Sequence, residues 1–297
     1  MTVEGIQTTN AGKLFYPQDG ITKGDLVEHY RRVADVMLPH LRGRPLTLLR
    51  YPDGIDGEGW FQKAAPEYLP GWIHTENIQQ SDERDGKLRY VVCDDAATLV
   101  YLANQATIEF HIWASALPDL SRPDLLILDL DPPVDTDIVK IRTLARRVRE
   151  LFESIGLRAY LQATGGQGFH ILAPLDCSAD FAAVRALAVA VADRLVRADP
   201  DTLTTKHRKN MRGRKIFLDT NRNGYGQTFA APYTVRARRG AAVATPLDWS
   251  ELRKAYPNSW DMRRQHARLA HKADPWRALH AHGASADRAH ERLAELP

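Results

Sequence analysis

Residues 125–133, Leu-Leu-Ile-Leu-Asp-Leu-Asp-Pro-Pro, constrain the fold more than any other stretch of this chain. A short apolar run closed by proline reads as a buried strand. Side chains alternate across a strand, so Leu126, Leu128 and Leu130 face one way and Asp129 and Asp131 the other. Two acids held side by side repel. A divalent ion such as Mg²⁺ or Mn²⁺, which takes hard oxygen ligands, is the strongest reason to keep them there. A solvated turn with incidental acids fits the same residues, because Asp-Pro is frequent in turns.

The 297 residues are enough for one large domain or two small ones. With 44% hydrophobic and 26% charged residues, the composition is that of an ordinary globular protein. The net charge of +3 says little about partners. Its distribution says more: KHRKNMRGRK at 206–215 and RARR at 236–239 suit a polyanion-binding patch or a solvated surface. Cys93 and Cys177 lie far apart, which argues against a structural zinc site and for a reducing, cytoplasmic setting. No signal peptide and no membrane-spanning segment is expected.

Strand and helix patterns mix throughout, giving an α+β or mixed α/β class. Helices are expected at Ile21–Met37 (capped by Thr22 and followed by Pro39), Asp94–Asn104, Asp135–Ile155 (ended by Gly156), Ala179–Arg197, Asp248–Ala255 and Trp260–Ala270. Strands are expected at Leu46–Arg50, Trp60–Lys63, Thr107–Trp113, Leu125–Asp131, Leu157–Gln162, Phe169–Pro174 and Ile216–Asp219. Thr107–Trp113 alternates as a half-buried strand would, with Ile108, Phe110 and Ile112 on one face. Residues 1–272 are taken as the catalytic domain, single or two-lobed, and 273–297 as a polar helix or tail.

Four further features could carry chemistry. Thr164-Gly165-Gly166-Gln167-Gly168 places three glycines between strands, where backbone N–H groups can approach a phosphate, and His170 follows. A plain hairpin turn with a structural histidine fits equally. Asp219 ends the strand Ile216–Asp219 and would complete a metal site with Asp129 and Asp131, or else cap the loop after it. His111 shares a strand face with Glu109, which could fix its tautomer. Asn10, Lys13 and Lys23 could grip a phosphate, and Trp60 and Phe61 could stack on a base, although alone they match ordinary surface residues.

Together these segments resemble the polymerase domain of bacterial ATP-dependent DNA ligase D, of the archaeo-eukaryotic primase superfamily. The resemblance runs through NAGKLFYPQDGITKGDLVEHY, GRPLTLLRYPDGIDGEGWFQK, IEFHIW, LLILDLDPP, TGGQGFHILAPL and KIFLDTNRNGYGQTFAAPYTVRARRG, in the family's order over roughly residues 5–260. It implies a primase-like core of central sheets flanked by helices, and a template-directed nucleotidyltransferase filling gaps and extending 3′ ends at DNA breaks in non-homologous end joining. By resemblance, Asp129, Asp131 and Asp219 hold two Mn²⁺ or Mg²⁺ ions, with NTP or dNTP as substrate. His111, Thr164, Gly165, Gly166, Gln167, Gly168, His170, Arg222, Arg236 and Arg238 would meet the nucleotide. Asn10, Lys13 and Lys23 would bind a downstream 5′-phosphate, and Trp60, Phe61 and Lys63 the DNA. The family often favours ribonucleotides and Mn²⁺, and it associates with Ku and a ligase. Gln167 stands where the family often has a basic residue, and Thr164 where it often has Ser. No Lys-x-Asp-Gly motif is present, so the sequence is expected not to seal nicks by itself. Two other readings share the same residues: a metal-dependent phosphohydrolase or nuclease, and a non-catalytic module that binds 5′-phosphorylated ends.

Overall fold

The computed structural model describes residues 2–3, 5–79 and 86–297. Helices and strands interleave along the chain, in the mixed α and β class expected. Backbone contacts divide it into two compact units. The first is Met1–Trp113 with Thr228–Thr245 and Trp260–Arg277; the second is Ala114–Gln227 with Pro246–Ser259 and Ala278–Pro297.

The first unit is built on a four-stranded antiparallel sheet in the order Thr228–Ala230, Thr107–Trp113, Leu46–Arg50, Trp60–Gln62. Its long helix, Lys23–Leu41, starts where the sequence places it. The Thr22 hydroxyl accepts from Asp25 N, and the Asp25 carboxylate accepts from Thr22 N, a capping box that satisfies two orphan donors. Pro39 lies inside this helix instead of following it. Proline removes one bond near the end, but the turn persists because Arg42 N donates to Leu38 O and Leu38, His40 and Leu41 are buried. Thr107–Trp113 is buried along its whole length, not half-buried. Tyr30, on the long helix, meets Phe110 at 4.8 Å across one face. The other face carries Glu109 and His111, closed by side chains where the alternation alone suggested water. A hairpin of Thr75–Gln79 and Lys87–Val91, unmarked by apolar alternation, also belongs to this unit.

In the second unit a sheet runs in the order Leu203–Thr204, Ile216–Asp219, Leu125–Asp131, Phe169–Pro174, Tyr160–Ala163, with short Thr245–Leu247 at the edge. The first pair is parallel and the next three pairs are antiparallel. The helix expected from Asp135 begins at Ile138 with Asp137 as its cap. Asp135 has φ +66°, a left-handed conformation that no helix interior takes. Gly156, at φ +84°, ends it as expected. The helix Phe181–Ala198 is apolar on its packed side, and Ala286–Glu295 buries Ala286, Ala289 and Leu293. Residues 249–253 form a 3-10 turn where a full helix was expected. Among the described residues, no helix is long and apolar enough to cross a membrane.

Candidate active site

The acidic strand Leu125–Asp131 is central in its sheet, and register does the assembling. Asp129 is paired with Asp219 on one neighbouring strand and with His170 on the other. Gln162 is opposite His170 one strand further out. Directly opposed residues share a sheet face, so Gln162, His170, Asp129 and Asp219 form one polar row. Asp131, two residues on, takes the same face. The strand is anchored from behind by Asn223, wholly buried, whose amide accepts from Ile127 N at 2.8 Å and donates to Ile127 O at 2.7 Å. Sequence reading passed over Asn223, because nothing local distinguishes it from the other polar residues of its loop.

Cations already lie on these acids. Arg212 Nη1 donates to Asp131 Oδ2 at 2.9 Å, and its guanidinium stacks over the Phe217 ring at 3.7 Å. Arg222 lies 3.7 Å from both Asp129 and Asp219. Burial and the negative charge of Asp129 raise the Asp131 carboxyl above its ordinary value, even against the Arg212 bond. Among the described residues no three His, Cys, Asp or Glu side chains are gathered as a metal cluster; guanidiniums lie on the carboxylates instead. The donor set still suits a hard cation: three carboxylates share one face, and their repulsion is felt at Asp131. Gln162 Nε2 lies 3.5 Å from His170 Nδ1. His170 Nε2 lies 3.6 Å from Asp129 Oδ1.

The glycine turn is shaped by one left-handed residue and one close approach. Gly165 has φ +70°, and a Cβ on Gly168 would lie 1.7 Å from Leu130 O, inside the backbone of the acidic strand. Thr164 Oγ1 donates to Gly168 O at 2.8 Å and accepts from Gly166 N at 3.1 Å, while Gly165 N donates to Pro257 O. Thr164 therefore holds the turn together. Gln167, at the tip of the turn, is exposed.

In the first unit, Glu109 organises a second constellation. Its Oε2 accepts from His111 Nε2 at 2.9 Å, the Arg236 guanidinium is ion-paired to it with Nε at 3.0 Å, and Oε1 accepts from Ala237 N at 2.8 Å. Burial pushes this carboxyl up, but the His111 bond, the Arg236 charge and the Ala237 N–H prevail and hold it at about 2. The sequence linked Glu109 to His111 through their spacing; Arg236 joins only through the fold. Phe61 sets its ring edge-on to His111, with centroids 5.4 Å apart. Arg238 and Lys63 are exposed.

Asn10, Lys13 and Lys23 are brought together at the start of the long helix. Lys13 N donates to Asn10 O, Lys23 N to Lys13 O and Gly24 N to Ala11 O. Asn10 takes the left-handed conformation, φ +50°, which Asn tolerates better than most residues. Lys23 Nζ donates to Thr9 Oγ1 and Lys13 Nζ to Asp53 Oδ1. Burial and then the charge of Lys13 lower the Lys23 ammonium from its ordinary value. Two repelling ammoniums at a helix N-terminus form a favourable place for an anion.

The family described as "LigD, primase-polymerase domain" matches residues 22–276. The chain is similar to the multifunctional non-homologous end joining DNA repair protein LigD of Mycobacterium tuberculosis, 34% identical over 255 residues, 83% of this chain and 33% of the relative. It is likewise similar to the LigD of Pseudomonas aeruginosa, 34% identical over 276 residues, 92% of this chain and 32% of the relative. It thus spans about a third of the length of these relatives. Among solved structures, the polymerase domain of Mycobacterium tuberculosis ligase D in complex with DNA superposes with a TM-score of 0.86 at 33% identity, over 94% of this chain and 99% of that one.

Proposed function

This chain belongs to the LigD primase-polymerase domain family, and we propose that it extends DNA 3′ ends on a template and fills gaps at double-strand breaks. A nucleotidyltransferase of this type takes nucleoside triphosphates and divalent metal ions. The observation that carries the reading is the register that sets Asp129 opposite Asp219, with Asp131 two residues on. These three carboxylates would hold Mn²⁺ or Mg²⁺. A divalent ion there would lower the pKa of a primer 3′-hydroxyl and offset charge on the reacting phosphates.

The chain's own groups do the rest. Arg222, between Asp129 and Asp219, limits the repulsion of the acids. His170 would donate to a phosphate oxygen at the sheet face. Gly165, Gly166, Gln167 and Gly168 would bring the turn's backbone against the triphosphate, with Thr164 holding its shape. Glu109 keeps a proton on His111 Nε2 and aligns Arg236. His111, Arg236 and Arg238 would then meet the nucleotide as donors and cations. Asn10, Lys13 and Lys23 would receive a downstream 5′-phosphate, and Trp60, Phe61 and Lys63 the DNA beside the gap. The DNA bound by the solved relative supports the same class of partner here. Ku and a DNA ligase are partners by family association, and the setting would be end joining.

The test is extension of a gapped primer-template bearing a 5′-phosphate, with each NTP and dNTP under Mg²⁺ and Mn²⁺. Asp129→Ala and Asp131→Ala should abolish extension and keep most DNA binding, which comes largely from basic contacts. Shortened DNA would point to a nuclease, and tight end binding without extension to a binding module. Equal loss of binding and extension would refute the metal assignment.

A further inference from the structure

We propose that Asn104 is a positioning residue for 5′-phosphate recognition, acting through Thr9 to fix where the Lys23 ammonium stands. The proposal rests on the reading of Asn10, Lys13 and Lys23 as a phosphate pocket and names what holds that pocket in shape. Asn104 is the last residue of the helix Ala96–Asn104 and is buried. A buried side-chain amide needs partners at both its ends. Asn104 finds them on the N-terminal arm: Oδ1 accepts from Thr9 N at 3.1 Å, and Nδ2 donates to Gln7 O at 3.1 Å. Thr9 N can only donate and Gln7 O can only accept, so the amide has one orientation.

The same amide orders a hydroxyl. Thr9 Oγ1 lies 2.9 Å from Lys23 Nζ and 3.4 Å from Asn104 Oδ1. An ammonium has no lone pair, so Thr9 accepts from Lys23 and gives its single proton to Asn104. Asn104, Thr9 and Lys23 form a relay of one polarity that ends on a cation. Burial and the charge of Lys13 work against the charged form of Lys23, and an acceptor on the ammonium favours it. Thr9 directly precedes Asn10, whose left-handed backbone and carbonyl, the acceptor for Lys13 N, begin the pocket. Releasing Thr9 therefore loosens the Asn10 turn and the ammonium together. Gln7, Thr9 and Asn10 are exposed, so the arm here has little apolar burial and depends on such bonds.

Fluorescence anisotropy on two gapped DNAs that differ only in the 5′ group, phosphate or hydroxyl, reads the relay as a ratio of affinities. In the intact chain the phosphate should tighten binding. Asn104→Ala should cut that preference about fivefold and quicken amide hydrogen exchange around Thr9. Thr9→Val, at an exposed position and with the backbone bond to Asn104 kept, should also lower the preference, and Thr9→Ser should restore it. Loss of packing alone would weaken both DNAs in proportion and leave the ratio as it was. A parental ratio in Asn104→Ala would overturn the proposal. If Asn104→Ala does not fold, a parental ratio in Thr9→Val overturns it instead. An intact chain that binds both DNAs alike would defeat the phosphate-pocket reading itself, whereas unaltered exchange around Thr9 in Asn104→Ala would defeat the relay.

Discussion

Glu109 offers the sharpest energetic test, since a buried carboxylate with two donors and a guanidinium beside it should carry a measurable share of stability. Its carboxyl is held at about 2 against an ordinary 4.5, and that gap is worth about 3 kcal/mol. The folded value lies below the unfolded one. The contribution is therefore fully present above about pH 4.5 and is lost as pH falls toward 2. Glu109→Gln keeps the shape and can still accept from Ala237 N, but it removes the charge that His111 and Arg236 answer. At pH 7 the variant should lose about 3 kcal/mol, in line with the known cost of breaking a buried ion pair. For a chain of 297 residues that corresponds to a melting temperature lower by about 5 °C. The assay is thermal unfolding of both chains from pH 7 down to pH 3, followed by circular dichroism. The difference should be constant above pH 5 and shrink below it. A difference under 2 °C at neutral pH, or one that does not change with pH, would refute the reasoning.

Three other expectations follow from single contacts. Gly168→Ala would force a Cβ into the Leu130 carbonyl, displacing the backbone of the acidic strand; both melting temperature and extension should fall, and a variant matching the parent in both would contradict the packing. Arg212→Ala removes the bond that lowers the Asp131 carboxyl, so Asp131 should titrate at higher pH. Calorimetric Mn²⁺ binding by this variant should then fail at a higher pH than in the parent, and an unmoved acid limb would disprove the coupling. Lys13→Ala removes one of two ammoniums at the helix start and should weaken binding to 5′-phosphorylated gaps about tenfold. Equal weakening of unphosphorylated gaps would show that no phosphate is held there.

Much of the local structure was readable because its causes are local. The apolar run bounded by Pro132 defines the strand Leu125–Asp131, and the observed limits are the expected ones. The same holds for Leu46–Arg50, Phe169–Pro174 and Ile216–Asp219. Thr22 caps the helix it was expected to cap, and Asp95, one of two adjacent acids that could have done so, caps Ala96–Asn104. Strands of two or three residues, such as Leu203–Thr204 and Thr228–Ala230, left no periodicity to detect, since pairing alone makes them strands. The basic run 206–215 read as a surface patch, yet Arg212 turns onto Asp131, and no local spacing relates the two.

The sequence by itself determined which residues are acidic, where they end a strand and which way each side chain alternates, because alternation is a property of the extended backbone. Only the tertiary structure decided which strands are neighbours and in what register. Asp129 and Asp219 are distant along the chain and meet because antiparallel hydrogen bonding aligns their strands at that residue pair. A slip of one residue would send Asp219 to the opposite face. The same is true of Arg236 and Glu109: burial makes the carboxylate need a partner, and the fold supplies it from a distant segment.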